Sequence, residues 1–156
     1  DSKIHNVSEN LQSAANKKLL ADLKTEDLLV YKAQGKTQHI VYVFTDASCP
    51  YCHKLHEHMS EINAKGIEVR YIAWPRGEQF MPAMESVWCS ADRQAAFNQA
   101  IAGAPLPPAT CKNPVRAQYQ LGLNMGVNGT PAIYNEEGIY LGGYLSPDEL
   151  VQRLNN

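Results

Sequence analysis

A dithiol directly behind a buried-strand pattern is the feature of this sequence that most restricts its fold. The apolar run IVYVF at residues 40–44 predicts a central strand, and the stretch SCPYCHKLHEH follows it at residues 48–58. Pro50 suits the first position of a helix, because its missing N–H would have no partner there. Cys49 then falls at or beside the helix N-cap, where free N–H groups and the helix dipole stabilise an anion such as a thiolate. Cys52 lies one turn deeper and can reach the first sulfur.

The rest of the chain alternates between helical and strand patterns, as expected for an α/β fold. Leu55, Met59 and Ile62 are predicted to face the core from the helix that follows the dithiol. In chain order we predict a helix over 8–23 capped by Ser8, strands within 27–36 and 39–44, a helix over 53–64, a strand over 67–73, helices within 81–121, a hairpin of strands 132–135 and 139–142, and a last helix capped by Ser146. With 156 residues, one domain with a single core is sufficient.

Composition argues against two classes of partner. With a formal net charge of −2, the surface lacks the positive charge that binding to phosphate backbones requires, so no nucleic acid is expected. The longest apolar run, residues 40–44, is far shorter than the roughly 20 residues of a membrane-spanning helix, so no membrane insertion is expected. The chain opens on Asp1 without a basic and apolar leader, from which we expect a mature or trimmed product.

A metal site is the alternative to redox chemistry in the CPYC stretch. Cys49, Cys52, His53 and His56 offer soft and imidazole ligands, but a structural zinc site normally gathers two ligand pairs from separate segments. No second such pair stands in the sequence, so we predict neither metal nor cofactor. The histidines are instead predicted to form a polar helix face near Glu57, namely His53, His56 and His58.

The chemistry expected of the dithiol depends on thiolate stability. A free cysteine has a pKa of about 8.5, and values of about 3.5 to 7.5 occur at helix N-termini and in Cys-X-X-Cys motifs. A lower pKa yields more thiolate but weakens its intrinsic nucleophilicity by a similar factor. The main gain is therefore in leaving-group ability and in redox poise, since a stable thiolate favours the reduced form.

A second motif, GTPAI at residues 129–133, places a proline at the start of a predicted strand. The position is compatible with a cis peptide bond between Thr130 and Pro131, and equally with an ordinary proline at a strand entry. In the cis case, Pro131 would put no N–H against the reactive sulfur. Thr130 would then offer its backbone to an extended substrate as an added strand.

Three blocks of the chain together resemble the catalytic domain of periplasmic thiol:disulfide isomerases of the DsbC and DsbG type. The blocks are TDASCPYCHKLHEHMSEINAKGIEVRYIAWPRG, WCSADRQAAFNQAIAGAPLPPATC and VNGTPAIYNEEGIYLGGYLSPDEL, and the resemblance runs from about Leu19 to the end of the chain. It implies a thioredoxin-like fold with a helical insertion and an N-terminal linker helix. We accordingly expect a linker-like segment at 1–25 and a catalytic domain at 26–156, with the helical insert at about 78–122.

The resemblance also implies roles for individual residues. Cys49 would be the surface nucleophile, Cys52 the resolving thiol, and Thr130 with Pro131 the cis-proline loop that binds the substrate. The dipeptide between the cysteines, Pro50-Tyr51, matches DsbG-like proteins, whereas DsbC-like ones usually have Gly-Tyr, which leaves the redox potential open.

The same resemblance implies a structural disulfide between Cys89 and Cys111 within the helical insert. Such a bridge closes a loop of about 23 residues, and the chain-entropy expression gives about 3.4 kcal/mol of stabilisation. Two buried free thiols are the alternative. A persistent disulfide indicates an oxidising compartment, which agrees with the periplasm.

The function implied is that of a disulfide isomerase or reductase acting on misoxidised secreted proteins. Its partners would be partly folded clients with non-native disulfides, a membrane thiol reductase of the DsbD kind as electron donor, and a second copy joined through an upstream dimerisation domain. Two alternatives stay open. One is an oxidase that donates its disulfide to clients, and the other is a chaperone-like binding domain without enzymatic activity.

Overall fold

The protein contains a five-stranded mixed sheet. The computed structural model describes the backbone of residues 2–156 and the side chains of residues 10–156. Strands β1 to β5 are, in chain order, Leu29–Tyr31, His39–Thr45, Ile67–Ala73, Ala132–Asn135 and Tyr140–Gly142. The sheet order is β1-β3-β2-β4-β5, with β2 and β3 parallel and every other pair antiparallel. The central place of β2 confirms the prediction from its apolar run.

Seven α-helices pack against this sheet. They are α1 (Ser2–Ala21), α2 (Pro50–Glu57), α3 (Met59–Ala64), α4 (Met81–Trp88), α5 (Arg93–Ile101), α6 (Val115–Met125) and α7 (Pro147–Leu154). Helix α7 begins with the predicted capping box, in which Ser146 and Glu149 bond to each other's backbone N–H. Among the described helices, none is both long and apolar enough to cross a membrane.

Both faces of β2 are buried, which is why its sequence is apolar without alternation. Val41 and Val43 face the larger core, together with residues of α2 to α5 and α7. Tyr42 and Phe44 face a second core that Leu20 of α1 helps to close. A strand with both faces covered presents its ends, and not its faces, to solvent, so the chemistry of this domain is expected at the carboxyl end of β2.

The helix predicted over 53–64 is two helices. Helix α2 begins three residues earlier, at Pro50, and the helix is interrupted at His58, where α3 takes over. The core-facing residues were predicted correctly, since Leu55, Met59 and Ile62 are all buried. Gly66 ends this region with a φ of +81°, a conformation that favours glycine.

The start and the inner face of α1 differ from the prediction. The helix begins at Ser2, so Ser8 lies inside it and is not its N-cap. Leu11, predicted on the buried stripe, is 68% exposed, whereas Asn16 and Leu20 are almost fully buried. Within residues 10–21, the buried face is therefore set by the β4–β5 hairpin and the second core against which α1 packs.

Candidate active site

The dithiol lies where β2 passes into α2. Cys49 is the N-cap residue, with extended backbone angles, and Pro50 holds the first helical position. Cys52 occupies the first turn, and both cysteines are free. Cys49 is only 4% exposed and Cys52 1%. The expectation that Cys49 lies on the surface is therefore wrong. Tyr51 between them is 60% exposed, with its ring 6.4 Å from that of Tyr144.

The two sulfurs have opposite acidities. A hydrogen bond from the Cys52 thiol is the main reason why the pKa of Cys49 falls to about 5, against the opposing effect of burial. The Thr130 side chain and the backbone N–H groups of Tyr51 and Cys52 lower it further. Burial raises the pKa of Cys52, and its hydrogen bond to Cys49 raises it again. At neutral pH one sulfur is therefore an anion and the other a proton donor.

The loop before β4 completes the immediate surroundings of the sulfurs. The peptide bond between Thr130 and Pro131 is cis, and the Cys49 sulfur lies 3.3 Å from the carbonyl oxygen of Thr130, to which only its protonated form can donate a hydrogen bond. The hydroxyls of Thr45 and Thr130 are buried. Both lower the pKa of Cys52 by hydrogen bonding to its sulfur, in opposition to its burial. Two buried hydroxyl donors thus face the place where thiolate charge develops.

An open cleft of about 770 Å³ begins at Cys49 and extends towards the helical region. Its walls are mostly small apolar residues and prolines, which come from α4, from the end of α5 and from the loop that follows. Among the described residues that line it, Cys49 and His53 are the titratable ones. The cleft therefore offers an apolar surface beside Cys49 and little charge to stabilise a thiolate.

Sequence reasoning misplaced His56. Its ring lies between the rings of Tyr31, Tyr71 and Phe97, at centroid distances of 5.2, 5.7 and 5.1 Å. It bonds to the Tyr71 hydroxyl at 2.9 Å and to Asn98 at 2.6 Å, and burial lowers its pKa. These contacts hold α2 against β3 and α5.

His53, the other histidine weighed as a metal ligand, also has a different partner. His53 is exposed and lies 3.4 Å from Glu57, as the polar helix face predicted. No group of three or more His, Cys, Asp or Glu side chains with metal-binding geometry occurs among the residues described. The protein groups that contact the dithiol are thus thiol, hydroxyl and backbone groups.

Cys89 and Cys111 are joined, with an S–S distance of 2.00 Å and a Cα–Cα distance of 5.7 Å. Cys89 follows the last residue of α4, and Cys111 lies in the loop that precedes α6. The bridge closes the segment that contains α5 and the proline-rich loop lining the cleft. It therefore ties down the wall opposite the dithiol.

Sequence reasoning passed over two charged residues beside the dithiol. Asp46 is 1% exposed, and its carboxylate accepts hydrogen bonds from Ser48 and Arg76. The signal was present in Asp46 directly after β2 and in Arg76, three residues after the end of the strand parallel to it, because the carboxyl ends of parallel strands meet at one edge of a sheet.

Comparison with known proteins agrees with this geometry. A family model described as a thioredoxin-like domain matches residues 25–156. The thiol:disulfide interchange protein DsbC of Dickeya dadantii is 47% identical, over 86% of this chain and 57% of that protein. DsbC of Pasteurella multocida is 41% identical, over 99% of this chain and 70% of that protein.

A solved structure supports the fold. The disulfide interchange protein from Neisseria gonorrhoeae matches with a TM-score of 0.72 at 24% identity, over 86% of this chain and 98% of that one. The chain spans less than two thirds of the Dickeya protein, so part of that relative has no counterpart here. The chain belongs to the thioredoxin-like domain family and, within it, to the family of the DsbC thiol:disulfide interchange proteins.

Proposed function

We propose that this chain is the catalytic part of a disulfide isomerase or reductase. The observation that carries the proposal is the pair of opposite acidities, a Cys49 pKa of about 5 beside a Cys52 whose pKa is raised. Cys49 thiolate attacks a client disulfide, a mixed disulfide forms, and one client sulfur leaves as a thiolate. That client thiolate attacks another disulfide of the client, and the sulfur released there attacks the client sulfur of the mixed disulfide, which frees Cys49 as a thiolate and completes the isomerisation.

Cys52 provides the second route out of the mixed disulfide. Its sulfur attacks Cys49, the bond between Cys49 and the client breaks, and the second client sulfur leaves, taking up the proton that Cys52 loses. The client is reduced by two electrons and the dithiol is oxidised. Burial, the main cause of the raised pKa of Cys52, persists when Cys49 is bonded to a client and slows this route, which leaves time for the client to rearrange.

We further propose that Thr130 and Pro131 bind an extended client segment. The cis-proline loop lies within hydrogen-bond distance of Cys49, and residues 129–130 belong to no strand, so their backbone groups are available to a client. Pro50 and Tyr51 shape the helix start, and the disulfide between Cys89 and Cys111 holds the cleft wall. Residues 26–156 would form the catalytic unit with a helical insert at about 78–122, and residues 1–25 the linker.

The wider setting follows the relatives. We propose the periplasm as the compartment, partly folded proteins with wrong disulfides as clients, and a membrane thiol reductase of the DsbD kind as electron donor. Homodimerisation would use a segment outside residues 1–156. Support comes from the Cys89–Cys111 disulfide, which suits an oxidising compartment, and from the similarity to proteins named for thiol:disulfide interchange.

Recovery of activity from scrambled ribonuclease tests the proposal. The reduced chain should speed recovery, and Cys49→Ala should abolish the effect, with Cys89→Ser/Cys111→Ser as a control that leaves the dithiol in place. Full activity of Cys49→Ala would refute exchange chemistry and favour a chaperone-like binding domain, for which the apolar cleft would suffice.

An oxidase is the second candidate, and the same low pKa supports it. A stabilised thiolate favours the reduced protein, which makes its disulfide easier to donate. Oxidation of reduced ribonuclease by the disulfide form separates the candidates. A chain that oxidises reduced ribonuclease but leaves scrambled ribonuclease inactive is an oxidase.

A further inference from the structure

The turn that precedes Cys49 is held by an ion pair between the buried carboxylate of Asp46 and the exposed guanidinium of Arg76. The Asp46 carboxylate accepts hydrogen bonds from the backbone N–H and the hydroxyl of Ser48, at 3.0 and 2.8 Å. It also accepts from the backbone N–H and the Nε of Arg76, at 2.9 and 3.2 Å. Four donors on one carboxylate that is 1% exposed leave it little freedom to move.

Arg76 closes the arrangement from the other side. Its Nη2 donates to the carbonyl and to the hydroxyl of Ser48, at 3.1 and 3.2 Å, and its guanidinium lies 5.2 Å from the ring centre of Phe80. The fork therefore contacts Asp46 and Ser48 together. A lysine in this place would keep the charge but would lose the planar fork, in which Nε and Nη2 donate to Asp46 and Ser48 from two separate atoms.

This pair acts on the backbone immediately before the nucleophile. Ser48 precedes Cys49, and the Cys49 N–H donates to the carbonyl of Asp46 at 3.0 Å. We propose that Asp46 and Arg76 are positioning residues, which fix the turn 46–49 so that the Cys49 sulfur meets Cys52, the backbone N–H groups of α2 and Thr130. The inference rests on the proposed role of Cys49 as nucleophile.

The charges around Cys49 make the proposal measurable. Asp46 and Arg76 come from the turns after β2 and β3, Cys52 and His53 from α2, and the described cleft wall adds no other titratable group. With the pair intact, the negative carboxylate is neutralised. Without Arg76, the Asp46 charge is uncompensated three residues from the sulfur, which disfavours a second anion, and the turn is released.

The pH dependence of Cys49 alkylation in the reduced chain tests the inference. Arg76→Gln should raise the Cys49 pKa by about one pH unit. Arg76→Lys should raise it by a smaller amount, because the charge remains and the fork is lost. Asp46→Asn/Arg76→Gln should fall between Arg76→Gln and the unaltered chain, since removing the carboxylate removes the repulsion but not the loss of positioning.

Arg116→Gln is the matched control. Arg116 also forms an ion pair, with Glu78 at 3.2 Å, but both side chains are largely exposed and neither contacts the dithiol turn. A shift for Arg76→Gln no larger than that of Arg116→Gln overturns the proposal. Should Arg76→Gln fail to fold, Arg76→Lys and Ser48→Ala decide, and an unchanged Cys49 pKa in both refutes it. The ribonuclease assay is independent, so inactivity with the predicted shifts would count against the proposed function alone.

Discussion

The asymmetry of the two cysteines arises from one hydrogen bond and one difference in depth. The Cys52 thiol donates to Cys49, which lowers the pKa of the acceptor and raises that of the donor. Burial raises both, but its effect on Cys49 is outweighed by the hydrogen bond from Cys52, to which the side chain of Thr130 and two backbone N–H groups add. A Cys-X-X-Cys sequence on a helix start therefore gives its two thiols opposite acidities, chiefly through hydrogen bonding and burial.

Substitutions of Cys52 test how strongly its hydrogen bond lowers the pKa of Cys49. Cys52→Ala removes the donor that contributes most to the acidity of Cys49, so the Cys49 pKa should rise by about 1 to 2 units, the equivalent of one hydrogen bond to a charged group. Cys52→Ser keeps an O–H donor in the same place and should leave the Cys49 pKa clearly lower than in Cys52→Ala. Thiolate absorbance followed against pH measures both, and equal pKa values for the two variants would contradict the account.

At the residue scale, the sequence was sufficient for groups whose role depends on chain position. Cys49, Pro50 and Cys52 were placed correctly on the helix start, because capping and the N1 preference of proline are local rules. His56 was placed wrongly, since its partners Tyr71 and Asn98 are 15 and 42 residues away in the chain. Contacts of that kind follow from packing, which no local pattern records.

At the scale of elements, α1 is joined to the β4–β5 hairpin by polar contacts. The Asn16 side chain donates to the carbonyl of Gly138 at 3.1 Å, and Lys17 pairs with Glu137 at 2.9 Å. Gly138 has a φ of +79°, and a Cβ there would lie 2.3 Å from the carbonyl oxygen of Ser13. The helix backbone can approach this turn because residue 138 has no side chain.

Gly138→Ala should release this contact. The substitution forces a left-handed backbone on alanine, at about 1 to 2 kcal/mol, and adds a collision with the backbone of α1. Gly35→Ala is the control, because Gly35 has a φ of +73° and open space around a Cβ. Urea unfolding should show a larger loss of stability for Gly138→Ala than for Gly35→Ala. Equal losses would mean that the approach of α1 contributes nothing.

The helical region between β3 and β4 depends on its cross-link. The disulfide closes a loop of about 23 residues, so Cys89→Ser/Cys111→Ser should lower the free energy of unfolding by about 3.4 kcal/mol. Cys49→Ser/Cys52→Ser is the control that removes two thiols and no cross-link. It is compared with the chain in which Cys49 and Cys52 are thiols and the disulfide between Cys89 and Cys111 is intact. Urea unfolding without reductant measures both. A loss below about 1 kcal/mol for the first pair would show that helix packing alone holds this wall of the cleft.

A helix or strand could be predicted from the sequence where its signal lies within a few neighbouring residues. Strand β3 matches its predicted bounds, and the capping box of α7 was identified from Ser146 and Glu149. The break at His58 and the polar inner face of α1 were missed. Both features depend on what the helix packs against. The periodicity of apolar residues is judged over a long window, so it does not show a local interruption.

At the scale of the whole molecule, the Cys49 thiolate makes the stability of the fold depend on whether Cys49 and Cys52 are reduced. The Cys49 pKa of about 5 lies below the ordinary value of about 8.5, so folding favours the thiolate form. The resulting stability is fully present above the ordinary pKa and is lost as the pH falls towards 5. The raised pKa of Cys52 has no effect on stability until the pH reaches the ordinary thiol range. Between these limits, the protein with Cys49 and Cys52 reduced should become more stable as the pH rises. With Cys49 and Cys52 joined in a disulfide there is no thiolate, so this increase should be absent.

Unfolding of the reduced chain across pH 5.5 to 8 tests this linkage, with mass measurement to show that the disulfide between Cys89 and Cys111 is intact. Relative to Cys49→Ser, the unaltered chain should gain up to about 1.4 kcal/mol per pH unit, because unfolding requires the uptake of one proton by the Cys49 sulfur. Carboxylates and histidines titrate in both chains and cancel in the difference. Parallel stability curves would mean that the folded protein does not hold Cys49 as a thiolate, and the proposed exchange chemistry would lose its physical basis.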